Sequence, residues 1–121
     1  MSTVALINFA LVALTIGFGL FGWLAPRYTM KKVDLQDGGS SMGLSEVRAA
    51  SGALFVMAGV GALILDNAFA YMMIGFIWGG GALGRATSLI LDGRTRTKWI
   101  FFASEVAVAA LAIWNNLPTL L

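Results

Sequence analysis

Four charged residues lie within otherwise apolar stretches of this sequence, and they are the residues most able to do chemistry. They are Glu46, Arg48, Arg85 and Glu105. Arginine is a permanently charged, forked donor that suits phosphate or carboxylate, and a glutamate can serve as an acid or a base. An ionisable group inside a membrane helix costs roughly 2.5–3.5 kcal/mol and normally faces other helices and pairs. These four residues are therefore the candidate site.

The residue types that the chain lacks exclude several chemistries. The sequence contains no Cys and no His. This excludes disulfides, thiolate nucleophiles, Cys/His zinc sites, His-ligated haem and a histidine base. Asp34 and Asp37 lie beside Gly38, but the remaining ligands of a calcium loop are missing. We predict no cofactor and no metal.

The composition indicates a membrane protein. Apolar residues make up 59% of the 121 residues before the 15 glycines are counted, and charged residues 12%. Soluble domains average about 45–50% apolar with glycine included and about 25% charged. A body this small cannot bury such an excess of apolar surface, and the same excess excludes a disordered chain.

The charges separate four long apolar runs, which predict four membrane-spanning helices. Runs of about 17–25 apolar residues cross a hydrocarbon core of about 30 Å as helices, because lipid offers no partner to an unpaired backbone group. We predict an all-α integral membrane four-helix bundle, antiparallel and up-down-up-down, as one domain over residues 1–121. Pro26 should end the first helix, and Ser45 should cap the second. The predicted spans are about 3–24, 46–65, 68–90 and 99–116.

The basic residues predict the orientation of the bundle. Four spans place both termini on one side, together with the Asp66-Asn67 turn, and that side carries no Lys or Arg. Short loops rich in Lys and Arg stay cytoplasmic, so both termini should lie on the non-cytoplasmic side. The same residues can contact anionic lipid headgroups, and a net charge of +2 gives no argument for nucleic acid. The loop residues are Arg27, Lys31, Lys32, Arg94, Arg96 and Lys98.

The four candidate site residues are expected at one depth near the cytoplasmic side. Arg85 and Glu105 lie equally far along their spans from the loop that joins them, and Glu46 and Arg48 open the second span. One interpretation is structural: Arg85 pairs with Glu105, and Glu46 with Arg48, and the pairs fix helix packing. The other is a polar pocket for a lipid headgroup, a quinone or another small amphiphile. Both stay open at this point.

Glycines of the third span predict close helix packing. Gly75 and Gly79 form one G-x-x-x-G pair, and Gly80 and Gly84 form another. Small residues spaced by four let helix backbones approach each other in lipid. The glycines should pack within the chain or dock on a partner membrane protein or a second copy.

Several segments together resemble a known family. Gly22-Trp23-Leu24-Ala25-Pro26 closes the first span, and Gly43-Leu44-Ser45-Glu46-Val47-Arg48-Ala49 opens the second. Gly80-Gly81-Ala82-Leu83-Gly84-Arg85 precedes Leu91-Asp92-Gly93, and Glu105 follows. The chain here resembles small bacterial four-helix membrane proteins known as a domain of unknown function and DoxX-like in outline. The resemblance implies that fold, a bacterial inner membrane location and the importance of Glu46, Arg48, Arg85, Asp92 and Glu105, with no assigned activity.

Two function classes fit these features, and a third fits less well. The first is a non-enzymatic accessory or scaffold subunit of a larger membrane complex. The second is a binder or carrier of a lipid, quinone or small amphiphile that uses the Arg/Glu layer. An enzyme is the least supported, because Glu46 and Glu105 have no nucleophile, metal set or cofactor motif beside them.

The predicted orientation can be tested by labelling single cysteines, since the chain has none of its own. Thr29→Cys and Thr95→Cys should be protected from an impermeant thiol reagent in intact cells, whereas Ser2→Cys and Thr119→Cys should react. Labelling of Thr95→Cys from outside the cell would reverse the orientation.

Overall fold

Helices make up the whole fold in the computed structural model, which describes all residues Met1–Leu121. Four of the helices are long and apolar enough to cross a membrane, which confirms the four predicted spans and identifies a multi-pass membrane protein. A fifth, shorter helix lies in the first connection. The helices are α1 Thr3–Leu24, α2 Pro26–Lys32, α3 Met42–Leu65, α4 Ala68–Leu91 and α5 Arg96–Leu120.

The first connection is partly helical, although the sequence predicted only a loop there. Pro26 ends α1 as predicted, because Ala25 leaves the helical region with φ −129° and ψ 59°. The same proline begins α2, where its fixed φ suits the first helical position and its missing N–H costs nothing. Burial of Pro26 and Met30 then anchors this short helix.

The second span begins earlier than predicted, and the prediction that Ser45 caps it is wrong. Ser45 lies inside α3, where its backbone N–H donates to the Ser41 carbonyl at 3.0 Å. Gly38 and Gly39 take the chain through a turn at positive φ, 69° and 90°. Ser41 follows that turn in the N-cap position, so the helix begins at Met42 and continues through Gly43.

The connection between α4 and α5 is shorter than the predicted loop. Gly93 adopts φ 95° just after α4, the left-handed conformation that commonly ends a helix. The Thr95 hydroxyl then accepts a hydrogen bond from the Lys98 N–H at 3.1 Å, so that α5 begins at Arg96. At its other end α5 continues through Pro118 to Leu120, beyond the predicted end at residue 116.

The chain divides into two compact units by its internal contacts. One unit comprises Met1–Leu11 with Leu65–Leu121, and the other comprises Val12–Ile64. In the first unit α4 packs along α5. Gly75 is buried there, and a Cβ added to it would lie 3.0 Å from the Ala109 carbonyl oxygen.

In the second unit α1 and α3 approach each other backbone to backbone through glycines. A Cβ at Gly19 would lie 2.7 Å from the Gly52 carbonyl oxygen, and a Cβ at Gly52 would collide with the Trp23 backbone. A Cβ at Gly22 would collide with the Ser51 carbonyl. Gly52 lies in a π-helical segment, Ala49–Ala53, which widens α3 locally. A side chain at any of these three positions would overlap the backbone of the neighbouring helix, so each must be glycine.

We expect Gly52→Ala to destabilise the protein, because the added methyl meets backbone atoms that cannot rotate away. Overpacking of this kind costs about 1–3 kcal/mol. Gly17→Ala is the matched control, because its Cβ would meet nothing within 4 Å. Unfolding in mixed micelles, followed by helical circular dichroism, compares the two variants. Equal stability of both would contradict the proposed close contact.

Candidate functional site

Arg85 and Glu105 form the predicted ion pair. Arg85 lies on α4 and Glu105 on α5, with Arg85 Nε 3.0 Å from Glu105 Oε1 and Nη2 3.5 Å from Oε2. The two parallel contacts are the forked arrangement that guanidinium and carboxylate prefer. Equal depth on two packed helices is what brings the opposite charges together.

Two neighbours on the same helices complete the surroundings of this pair. The Arg85 guanidinium lies 5.2 Å from the centroid of the Phe101 ring, one turn before Glu105 on α5. A Cβ on Gly81, one turn before Arg85, would collide with the Glu105 carboxylate. Gly81 therefore leaves the space that the carboxylate occupies. It was not among the predicted packing glycines, although its i−4 spacing from Arg85 signals a shared face.

The pair is shielded unequally. The Glu105 side chain is 13% exposed and the Arg85 side chain 36%. The sequence predicts that both are buried from lipid; Glu105 is largely buried, whereas Arg85 is only half-buried. The reason is geometric, because Phe101 and Glu105 each cover one side of the guanidinium and leave another side open.

Arg48 contacts the end of a helix and forms no pair with Glu46. Its Nη1 donates to the Trp23 carbonyl at 2.7 Å. The last carbonyls of a helix have no partner within it, and a cation there also meets the negative end of the helix dipole. The predicted Glu46–Arg48 pair is not formed, because residues two apart on a helix do not face each other. Glu46 is exposed.

An open groove of about 550 Å³ lies beside Arg48 in the second unit. It combines one guanidinium with two serine hydroxyls, which are groups able to bind an anionic headgroup. Its lining residues are Trp23, Ser41, Leu44, Ser45, Arg48, Ala49 and Ala53.

A buried amide cluster in the first unit was only partly predicted. Asn8 and Asn116 are 5% and 1% exposed, and their side chains exchange two hydrogen bonds of 2.9 and 2.8 Å. Asn115 donates a third bond, at 3.0 Å, to the Asn8 oxygen. The sequence predicts that Asn8 bonds either to a neighbouring helix or to a carbonyl of its own helix, and the structure shows the bond to another helix. The sequence signal for its partners was two adjacent amides in an otherwise apolar run.

The four predicted packing glycines of α4 divide into two pairs. Gly75 packs tightly on α5, and a Cβ on Gly79 would make ordinary contact at 3.7 Å with the Ala109 Cβ. Gly80 and Gly84 are exposed, and a Cβ on either would meet nothing within 4 Å. Packing within the chain thus accounts for the first pair and leaves the second pair open.

Comparison with known proteins gives one match. A family model described as a domain of unknown function (DUF4345) matches residues 1–115. No curated protein and no solved structure matches the chain.

We expect Arg85→Ala to destabilise the protein more than Glu105→Gln. The first change leaves a largely shielded carboxylate without its partner, a loss of about 3–5 kcal/mol for buried pairs in soluble proteins. The second keeps an oxygen that can accept from Arg85, and an unpaired arginine can reach the headgroups. Unfolding in mixed micelles measures both losses.

The exchange Arg85→Glu with Glu105→Arg should recover much of the stability, and no recovery would argue against a structural pair.

Proposed function

The chain belongs to the family described as a domain of unknown function (DUF4345), and from its own geometry we propose that it is a non-enzymatic accessory or scaffold subunit. It binds a partner membrane protein, or a second copy of itself, through one face of α4. We call this the open face, and it comprises Phe76, Gly80, Leu83, Gly84 and Leu91.

The observation that carries this proposal is the open pair Gly80 and Gly84. The bulky residues around them, Phe76, Leu83 and Leu91, are all exposed and flank a strip of bare backbone. At 100° per residue, this strip lies on the side of α4 opposite Gly75 and Ala82, which are buried. The open face is thus a shallow groove that a second helix can enter.

Lipid alone gives no reason for glycine at these positions. Glycine weakens a helix by about 1 kcal/mol relative to alanine in water, and a residue that faces only lipid gains nothing from its absence of side chain. Gly75 and Gly81 are explained by atoms that a Cβ would strike. For Gly80 and Gly84, the advantage of a small residue spaced by four is the approach of another backbone.

The charged residues support a structural rather than a catalytic role. The Arg85 guanidinium is held by Glu105, and that of Arg48 by the end of α1. Each contact joins two helices and therefore stabilises their packing. This arrangement favours a subunit that supports an assembly over an enzyme.

The proposal includes a location in the bacterial inner membrane, with the four long helices running up-down-up-down. Both termini face the non-cytoplasmic side, and the basic residues of α2 and of the turn before α5 contact the lipid headgroups. The asymmetry of Lys and Arg between the two sides supports this orientation.

A second candidate function is the binding of a lipid, a quinone or another small amphiphile. The groove beside Arg48 favours it, because one guanidinium nitrogen is engaged by Trp23 and the group has further donors. An anionic headgroup fits this chemistry better than a neutral quinone does. Loss of a co-purifying anionic lipid in Arg48→Gln, with association of the chain unchanged, would favour this function over the first.

We expect Gly80→Leu with Gly84→Leu to abolish association while the chain stays folded, because two large side chains fill the groove and the Cβ of each meets nothing within 4 Å. Gly17→Leu with Gly61→Leu is the control, since a Cβ on either of those half-buried glycines also meets nothing within 4 Å. Native mass spectrometry from mild detergent measures the assembly. The unaltered chain should appear in species heavier than its own 12.8 kDa. A monomer alone, or association unchanged in the Gly80/Gly84 variant, would contradict the proposal.

A further inference from the structure

A cavity of about 390 Å³ lies in the first unit, at the end that carries the turn between α3 and α4. Its size falls in the range of about 300–1,000 Å³ that is typical of small-molecule sites. The first turns of α1, the start of α4 and the end of α5 form its walls. The lining residues are Ser2, Val4, Ala5, Asn8, Phe9, Asp66, Asn67, Ala68, Tyr71, Asn116 and Thr119.

The cavity has one charge, and it is negative. Asp66 lines the wall, and its Oδ1 accepts a hydrogen bond of 2.6 Å from the Tyr71 hydroxyl. No Lys or Arg lines the cavity, and Asp66 forms no ion pair. The carboxylate therefore has a neutral partner that orients it and no cation that balances it.

Two aromatic rings stand beside this carboxylate. Phe9 and Tyr71 meet edge to face, with ring centroids 6.5 Å apart and an interplanar angle of 79°. The edge of one ring thus meets the face of the other, and both residues line the cavity. An aromatic face attracts a cation, as in the sites that recognise quaternary ammonium groups. A single carboxylate supplies too few oxygen ligands for calcium, and the aromatic and apolar lining suits an organic cation better than a hydrated magnesium ion.

The floor of the cavity is rigid and already satisfied. Asn8 and Asn116 bond to each other, and the Asn116 amide also donates to the Ala112 carbonyl at 2.8 Å. A ligand here gains little from the amides and most from Asp66 and the rings. Val4, Ala5 and Ala68 provide apolar wall for a short hydrocarbon segment.

We propose that this cavity binds an organic ammonium group through Asp66, Phe9 and Tyr71. The ammonium lies beside the carboxylate and the two aromatic side chains, and its carbon substituents contact the small apolar residues. The same chemistry belongs to an amine-bearing lipid headgroup and to a free amphiphilic amine. This site is separate from the open face of α4 and from the groove beside Arg48.

The test is a titration of the purified full chain, in an uncharged detergent, with octyltrimethylammonium below its micelle concentration. We expect saturable binding of this probe and none of octanoate, which has a chain of similar length and the opposite charge. Asp66→Asn should weaken binding at least about tenfold, the scale of a lost charge-assisted contact. Asp92→Asn is the matched control, an exposed aspartate at the other end of α4, and should leave binding unchanged.

A second variant keeps the proposal testable if Asp66→Asn does not fold. Ala68→Leu adds three carbons to the wall of the cavity while Asp66 stays in place, and it should weaken binding with the helical circular dichroism unaltered. The proposal is wrong if octanoate binds as well as the ammonium probe. It is equally wrong if Ala68→Leu or a folded Asp66→Asn binds normally, or if Asp92→Asn weakens binding as much as Asp66→Asn does.

Nanodiscs distinguish the two sources of the ammonium group. Phosphatidylethanolamine should lower the apparent affinity for the probe relative to an uncharged glycolipid that lacks an amine, if the natural ligand is a lipid headgroup, because the lipid then occupies the cavity. Equal affinity in both bilayers, with the Asp66 dependence retained, assigns the cavity to a free amine instead.

Discussion

Hydrocarbon offers no hydrogen-bond partner, so each polar group that this chain carries into a span must be satisfied by the protein itself. Three contacts satisfy polar groups in this way. They are the Arg85–Glu105 pair, the contact of Arg48 with the last turn of α1 and the hydrogen bonds between Asn8 and Asn116. In each case the partner lies on another helix. A single unpaired polar residue is unfavourable in lipid, but these pairs hold the helices together. The apolar helix surfaces alone would not do so, because they contact lipid as favourably as they contact each other.

Glycine provides the second means of holding the helices. In the second unit it permits contact between backbones, where Gly19 and Gly22 of α1 meet the segment around Gly52. In the first unit it makes room for side chains, with Gly75 receiving Ile113 and Gly81 receiving the Glu105 carboxylate. Van der Waals contact and polar pairing thus act at the same places along the helices, because close backbones bring short polar contacts within reach.

The sequence predicts the spans and the main ion pair well, because both depend on position along the helix axis. Charges mark the ends of the apolar runs, and Arg85 and Glu105 stand at equal distances from one loop. What it does not predict depends on rotation about that axis. The helices are apolar all round, so no amphipathic pattern tells which face is inside. Three features could therefore be found only in the three-dimensional structure. They are the outward orientation of Gly80 and Gly84, the partner of Arg48 and the pairing of Asn8 with Asn116.

The π-helical segment Ala49–Ala53 links two features of the second unit. An extra residue in one turn rotates everything before it by about 100° relative to everything after it. Arg48 lies just before this segment and Gly52 lies within it, yet both meet the last turns of α1. Deleting one residue here would restore a regular helix and turn the guanidinium away from the Trp23 carbonyl. The length of this short stretch, more than the identity of its small residues, therefore sets the register in which α1 and α3 recognise each other.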